Sequence, residues 1–116
     1  MAMNSQETTA LDRTFHALGD PTRRAILVRL ARGPATVGEL AGPFAMSLPA
    51  ISRHLKVLVE ASLIHNQRDG KSRRCQLRAE SLGGARDWLD FQRRFWSGSL
   101  DRLDAHLKTR RTEQNE

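Results

Sequence analysis

The stretch SLPAISRHLKVLVEASLIHNQRDGKSRRCQL, residues 47–77, holds two periodicities in succession. Leu48, Ile51, Leu55 and Leu58 fall at spacings of three, four and three, which is one face of a helix. Ser47 can accept from an orphan N–H of the first turn, and Pro49 needs no donor there, so the helix is expected to start at Ser47. With about 100° of rotation per residue, that stripe faces a core. Pro49, Arg53, Lys56 and Glu60 then project from the opposite side, with Ala50 and Ser52 flanking them and His54 at the boundary. After Ala61 the helical spacing stops. Residues 63–67 and 72–77 are short runs either side of Asp69-Gly70, a strong hairpin signal because Gly accepts positive φ in a tight turn. On the second run Cys75 and Leu77 share one face, and Arg74, Gln76 and Arg78 the other.

Upstream, residues 1–7 lack an apolar period and are expected to be a disordered tail. Leu11, Phe15 and Leu18 predict a first helix from Thr8, stopped by Gly19. Asp20 as N-cap and Pro21 at the first helical position start a second, which turns Ile26, Leu27 and Leu30 inward and ends at Gly33-Pro34. Its Arg23, Arg24, Arg29 and Arg32 are expected in solvent or facing phosphate. Thr36 and Glu39 have capping-box spacing, so a short third helix buries Val37 and Leu40 before Gly42-Pro43. Downstream, Leu82, Ala85, Trp88, Leu89, Gln92, Trp96, Leu100, Leu103 and Leu107 advance by three and four, predicting a last helix from about Ser81 to about Lys108, with Phe91 and Phe95 beside the stripe. The fold class is mainly α with a small β-hairpin: five helices, the hairpin between the fourth and fifth. One domain is expected over residues 8–110, with a second disordered tail at 111–116.

The chain has 116 residues, 39% of them apolar and 5% aromatic, enough for one compact domain. No run approaches the roughly 18 apolar residues of a membrane span, and no basic region followed by an apolar run opens the sequence, so a cytoplasmic protein is expected. A single cysteine, Cys75, excludes an internal disulfide and a site of several thiolates. The net charge is +6. Residues 1–52 and 79–116 are nearly balanced, whereas residues 53–78 carry Arg53, Lys56, Arg68, Lys71, Arg73, Arg74 and Arg78 against Glu60 and Asp69. A basic patch on a balanced domain is the footprint of a polyanion partner. Catalysis finds no footing: His16, His54, His65 and His106 are scattered, and neither a phosphate loop nor a paired-carboxylate cleft is evident.

A capped helix after a short turn from the preceding helix is the helix-turn-helix arrangement, and a basic hairpin directly after it is a wing. The runs LGDPTRRAIL (residues 18–27), VGEL (37–40), SLPAISRHLKVLVEASLI (47–64) and DGKSRRCQL (69–77) resemble the ArsR/SmtB family of winged-helix repressors, over about residues 11–78. Ser47, Ile51, Ser52, His54, Leu55 and Leu58 carry the most specific part, S-x-x-x-[IV]-S-x-H-L-x-x-L. The resemblance implies a homodimer that binds an imperfect palindromic operator in double-stranded DNA and represses transcription. Residues 89–107 resemble the branch often encoded beside small ligand-binding proteins of the START/SRPBCC type.

Ser47, Pro49, Ala50, Ser52, Arg53, Lys56, Arg68, Lys71, Arg73 and Arg74 are the candidate DNA contacts, and the resemblance adds His54. Leu11, Phe15, Trp88, Leu89, Trp96, Leu100, Leu103 and Leu107 are the candidate dimer interface. The resemblance also implies where metal ligands would sit, and they are missing: residues 37–42 hold no Cys or His, and Asp104-x-His106 matches only half of the other ligand pattern. No metal or cofactor is expected, which points to a non-metal-sensing branch. Cys75 stands where relatives often have Tyr and is expected as a small apolar filler. Two other readings stay open, a metal- or thiol-responsive repressor of the same family and a winged-helix module that binds another protein.

Overall fold

The computed structural model describes residues 3–114. In chain order these form α1 (Ser5–Leu18), α2 (Pro21–Leu30), β1 (Ala35–Thr36), α3 (Val37–Ala41), a 3-10 turn (Gly42–Phe44), α4 (Leu48–Glu60), β2 (Ile64–Asp69), β3 (Ser72–Leu77), a second 3-10 turn (Ala79–Leu82) and α5 (Gly83–Gln114). The five helices stand as expected, and the hairpin carries one addition. Its sheet is antiparallel and three-stranded, in the order β1-β3-β2, with Ala35 opposite Cys75 and Thr36 opposite Arg74. Two residues are too few to show the alternation that marks a strand in a sequence.

The helix starts are set by side-chain caps. Asp20 Oδ2 accepts the Arg23 N–H at 3.0 Å ahead of Pro21, Thr36 Oγ1 accepts the Glu39 N–H at 3.2 Å, and Ser47 Oγ accepts the Ala50 N–H at 3.3 Å. α1 begins at Ser5, earlier than Thr8, because Asn4 Oδ1 accepts the Glu7 N–H at 2.8 Å. Residues 5–7 are therefore a first helical turn and not part of a tail. α5 likewise runs past Lys108 to Gln114, through much of the segment expected as a second tail. Residues 1, 2, 115 and 116 of the two expected tails lie outside the described residues.

Two compact units divide at Ala85 and Arg86. The first holds one apolar cluster, in which Ala17, Ile26, Leu40, Ile51, Leu58, Leu63 and Cys75 are nearly or fully shielded from solvent. Leu48 does not belong to it. It was expected on the core stripe of α4 but is 57% exposed, while Phe44 and Met46, just before it in the chain, pack against the core. The second unit is the remainder of α5, where Leu89, Phe91, Phe95, Trp96, Leu100, Leu103 and Leu107 are all exposed.

α4 ends in a Schellman motif, with the Leu63 N–H donating to Leu58 O at 3.0 Å and the Ser62 N–H to Val59 O at 2.9 Å. The motif forces Ser62 to φ 58°, left-handed backbone in which a Cβ is costly. Ser62→Gly should therefore raise stability by about 0.5–1 kcal/mol in urea unfolding; an unchanged or lowered midpoint would contradict the strain assigned to this residue.

Candidate nucleic-acid interface

Burial of Ile51, Leu55 and Leu58, at 0%, 3% and 0% exposure, sets the rotation of α4 and sends the other side of the helix to solvent. Ser47, Pro49, Ser52, Arg53 and Lys56 are exposed there, and Ala50 is half-buried. β2 follows α4 and packs on it. In the β2–β3 hairpin Arg68 pairs with Arg73 and Gln67 with Arg74. The two-residue loop is Gly70-Lys71, one residue later than expected, since Asp69 pairs with Ser72 as the last rung. Gly70, at φ 62°, supplies the positive φ.

Arg68, Lys71, Arg73 and Arg74 are all exposed. Among the described side chains, which do not include that of Asp69, none of them, nor Arg53 or Lys56, has a carboxylate partner, whereas Arg29, Arg93 and Lys108 pair with Glu39, Asp90 and Asp104. Arg68 directly opposite Arg73 is a like-charge cross-strand pair, which is destabilising in an isolated hairpin.

His54 stands apart from these cations. It is half-buried, and its Nδ1 lies 3.4 Å from Arg23 Nη1 and 3.7 Å from Asp20 Oδ2. Arg23 itself donates from Nε to Ala17 O at 2.8 Å and from Nη2 to His16 O at 2.9 Å, and Arg24 donates to Leu18 O at 2.7 Å. These two arginines donate to the C-terminal carbonyls of α1, Arg23 from a half-buried position and Arg24 from the exposed surface where it was expected, and Arg29 donates to Gly33 O at 3.1 Å. One corner thus ties α1, α2 and α4 together through Asp20, Arg23 and His54. Sequence reasoning missed it because the carbonyl partners lie six and seven residues back in the chain.

Cys75 is fully buried between β1 and β2, and burial pushes its thiol up, away from the reactive thiolate. Among the described residues no group of three or more His, Cys, Asp or Glu could hold a metal ion, and Asp104 is engaged by Lys108 at 3.0 Å. Of the candidate interface residues, Leu11 and Phe15 are half-buried on α1, and Trp88, Leu89, Trp96, Leu100, Leu103 and Leu107 are exposed along α5. No described helix is long and apolar enough to cross a membrane.

A capped helix with a free basic face, following a short helix and leading into a basic hairpin, defines a winged helix-turn-helix protein. A helix-turn-helix domain model matches residues 18–67. The chain is 48% identical over 89 residues to the HTH-type transcriptional regulator Rv2034 of Mycobacterium tuberculosis, covering 77% of this chain and 80% of that one. It is 37% identical over 79 residues to the transcriptional repressor SdpR of Bacillus subtilis, covering 68% and 88%. The crystal structure of an ArsR family transcriptional regulator superposes with a TM-score of 0.73 at 40% identity, covering 84% of this chain and 97% of that one. The chain belongs to the ArsR/SmtB family of winged helix-turn-helix transcriptional regulators.

The Arg23 backbone N–H, with His54 and the Arg23 guanidinium adding to it against a smaller burial effect, holds the Asp20 carboxyl below its ordinary value of 3.8. A depressed carboxylate contributes stability in full above pH 3.8, and that contribution is lost as pH falls through the lower folded value. Asp20→Ala should cost about 0.5–2 kcal/mol at neutral pH in urea unfolding. Asp20→Asn should keep most of the cap and lose part of the destabilisation that the wild-type chain shows as pH falls below 3.8. Equal stability of Asp20→Ala and the wild-type chain would remove the corner from this account.

Proposed function

We propose that the chain is a cytoplasmic homodimeric repressor that binds an imperfect palindromic operator in double-stranded DNA. The observation that carries the reading is the set of exposed cations on α4 and the hairpin, Arg53, Lys56, Arg68, Lys71, Arg73 and Arg74, which have no carboxylate partner among the described side chains, on a fold belonging to transcriptional regulators. α4 enters the major groove, where Arg53 meets a base edge with Pro49, Ala50 and Ser52 around it. Ser47 lies at the helix N-terminus, where backbone N–H groups suit a phosphate. Lys56, Arg68, Lys71, Arg73 and Arg74 meet phosphates or the minor groove. His54 acts from the flank, holding α4 to the Asp20–Arg23 corner.

Dimerisation is supported by the apolar face of α5. A large apolar patch left in water marks an interface, and Leu89, Trp96, Leu100, Leu103 and Leu107 form one by their spacing. Leu11 and Phe15 on α1 and Trp88 on α5 are further residues proposed to take part in dimerisation.

Arg53→Ala should cost about 1–3 kcal/mol on the operator and relax preference at one position per half-site. Lys71→Ala should weaken operator and scrambled duplexes alike and flatten the plot of log K against log salt by about one unit per contact. Titrating both variants on both duplexes at two salt concentrations checks this; an Arg53→Ala loss that is equal on the two duplexes would mean that α4 is not the reading helix. Binding that ignores salt altogether would favour a protein-binding module instead.

Leu103→Asp places a charge on the proposed dimer face. Sedimentation should then show a monomer, with operator binding much weakened. A fully dimeric Leu103→Asp chain would place the interface elsewhere.

A further inference from the structure

We infer that Leu48 is a specificity-determining residue that reads the C5 methyl group of a thymine in the major groove. The inference rests on the DNA-binding reading above and names a base that reading leaves open.

An exposed leucine alone says little, because much of any protein surface is apolar. Leu48 is distinguished by where it stands. It is the first residue of α4, 57% exposed, directly after the capping Ser47. In a helix-turn-helix the N-terminal residues of the second helix are the ones that reach base edges. Ser52 lies one turn further on, at i+4 and on the same flank, and is exposed as well. Leu48, Pro49 and Ala50 form an unbroken apolar first turn, and none of their side chains can donate or accept a hydrogen bond. Ser47 Oγ is held at the cap by the Ala50 N–H, and its remaining O–H donor is assigned to the phosphate proposed at this helix N-terminus. Base discrimination at this end of the helix therefore falls to apolar contact, and the thymine methyl is the one apolar group that the major groove offers among the four bases. Arg53 and Lys56, exposed and without a carboxylate partner among the described side chains, carry the charge that brings this apolar tip against a polyanion.

Burying one methyl group is worth about 0.8 kcal/mol, or roughly fourfold in affinity per half-site. The test starts from the duplex that the wild-type chain selects out of a random pool, with its thymines replaced one at a time by deoxyuridine, which lacks only the methyl group. The wild-type chain should lose about fourfold at one thymine per half-site. Leu48→Ala, whose thermal unfolding should match the wild type because the side chain is exposed, should show no loss at that base. Deoxyuridine that costs both proteins equally, or costs neither anywhere, would overturn the assignment of Leu48 while leaving salt-dependent operator binding intact. Failure to recover any duplex from the pool would instead overturn the DNA-binding reading, and the inference with it.

Discussion

The rotation of α4 about its own axis is the constraint on which the rest of the molecule depends. Ile51, Leu55 and Leu58 insert into the core, and a helix held by three such positions cannot turn without exposing them. Truncating any one of them to alanine removes roughly 2–5 kcal/mol of packing, so the helix has one stable orientation. That orientation leaves Arg53 and Lys56 outward and brings His54 to the flank. The Asp20–Arg23–His54 corner adds polar contacts at that flank, where apolar packing alone fixes direction less sharply.

The hairpin contributes charge at a site that the core cannot stabilise for it. Arg68 and Arg73 face one another across the ladder with Lys71 in the loop between the strands, and the apolar anchors of the sheet are Ile64 and Cys75 at its base. β1 adds a third strand on the far side of β3 and covers Cys75 from that direction. Local repulsion at the tip is tolerated because the sheet is held at the other end. Such a division, with stability at the base and the proposed contacts at the tip, is usual where a rigid scaffold presents a binding loop.

Much of this architecture was legible in the sequence because its signals are local. Asp20-Pro21, Thr36 with Glu39, and Ser47 each mark a helix start within four residues, and each caps in the structure as read. What escaped was set by tertiary contact. Arg23 reads as a solvated cation until α1 and α2 are folded back on each other, and Leu48 reads as core because the wheel takes no account of where the core ends, with Phe44 and Met46 packed against it and Leu48 exposed. β1 is too short to have a period. The face of α5 was legible as apolar from its spacing of three and four, and its residues stand exposed in the structure.

The central claim is that α4 and the hairpin are the surface that meets duplex DNA. Backbone amide chemical shifts, followed by NMR as the selected duplex is titrated in, test it most directly. The account predicts that the largest changes fall on residues 47–56 and 67–74, with smaller ones at Asp20 and Arg23 passed on through His54. Changes concentrated on α2 or along α5, with α4 and the hairpin unmoved, would contradict it.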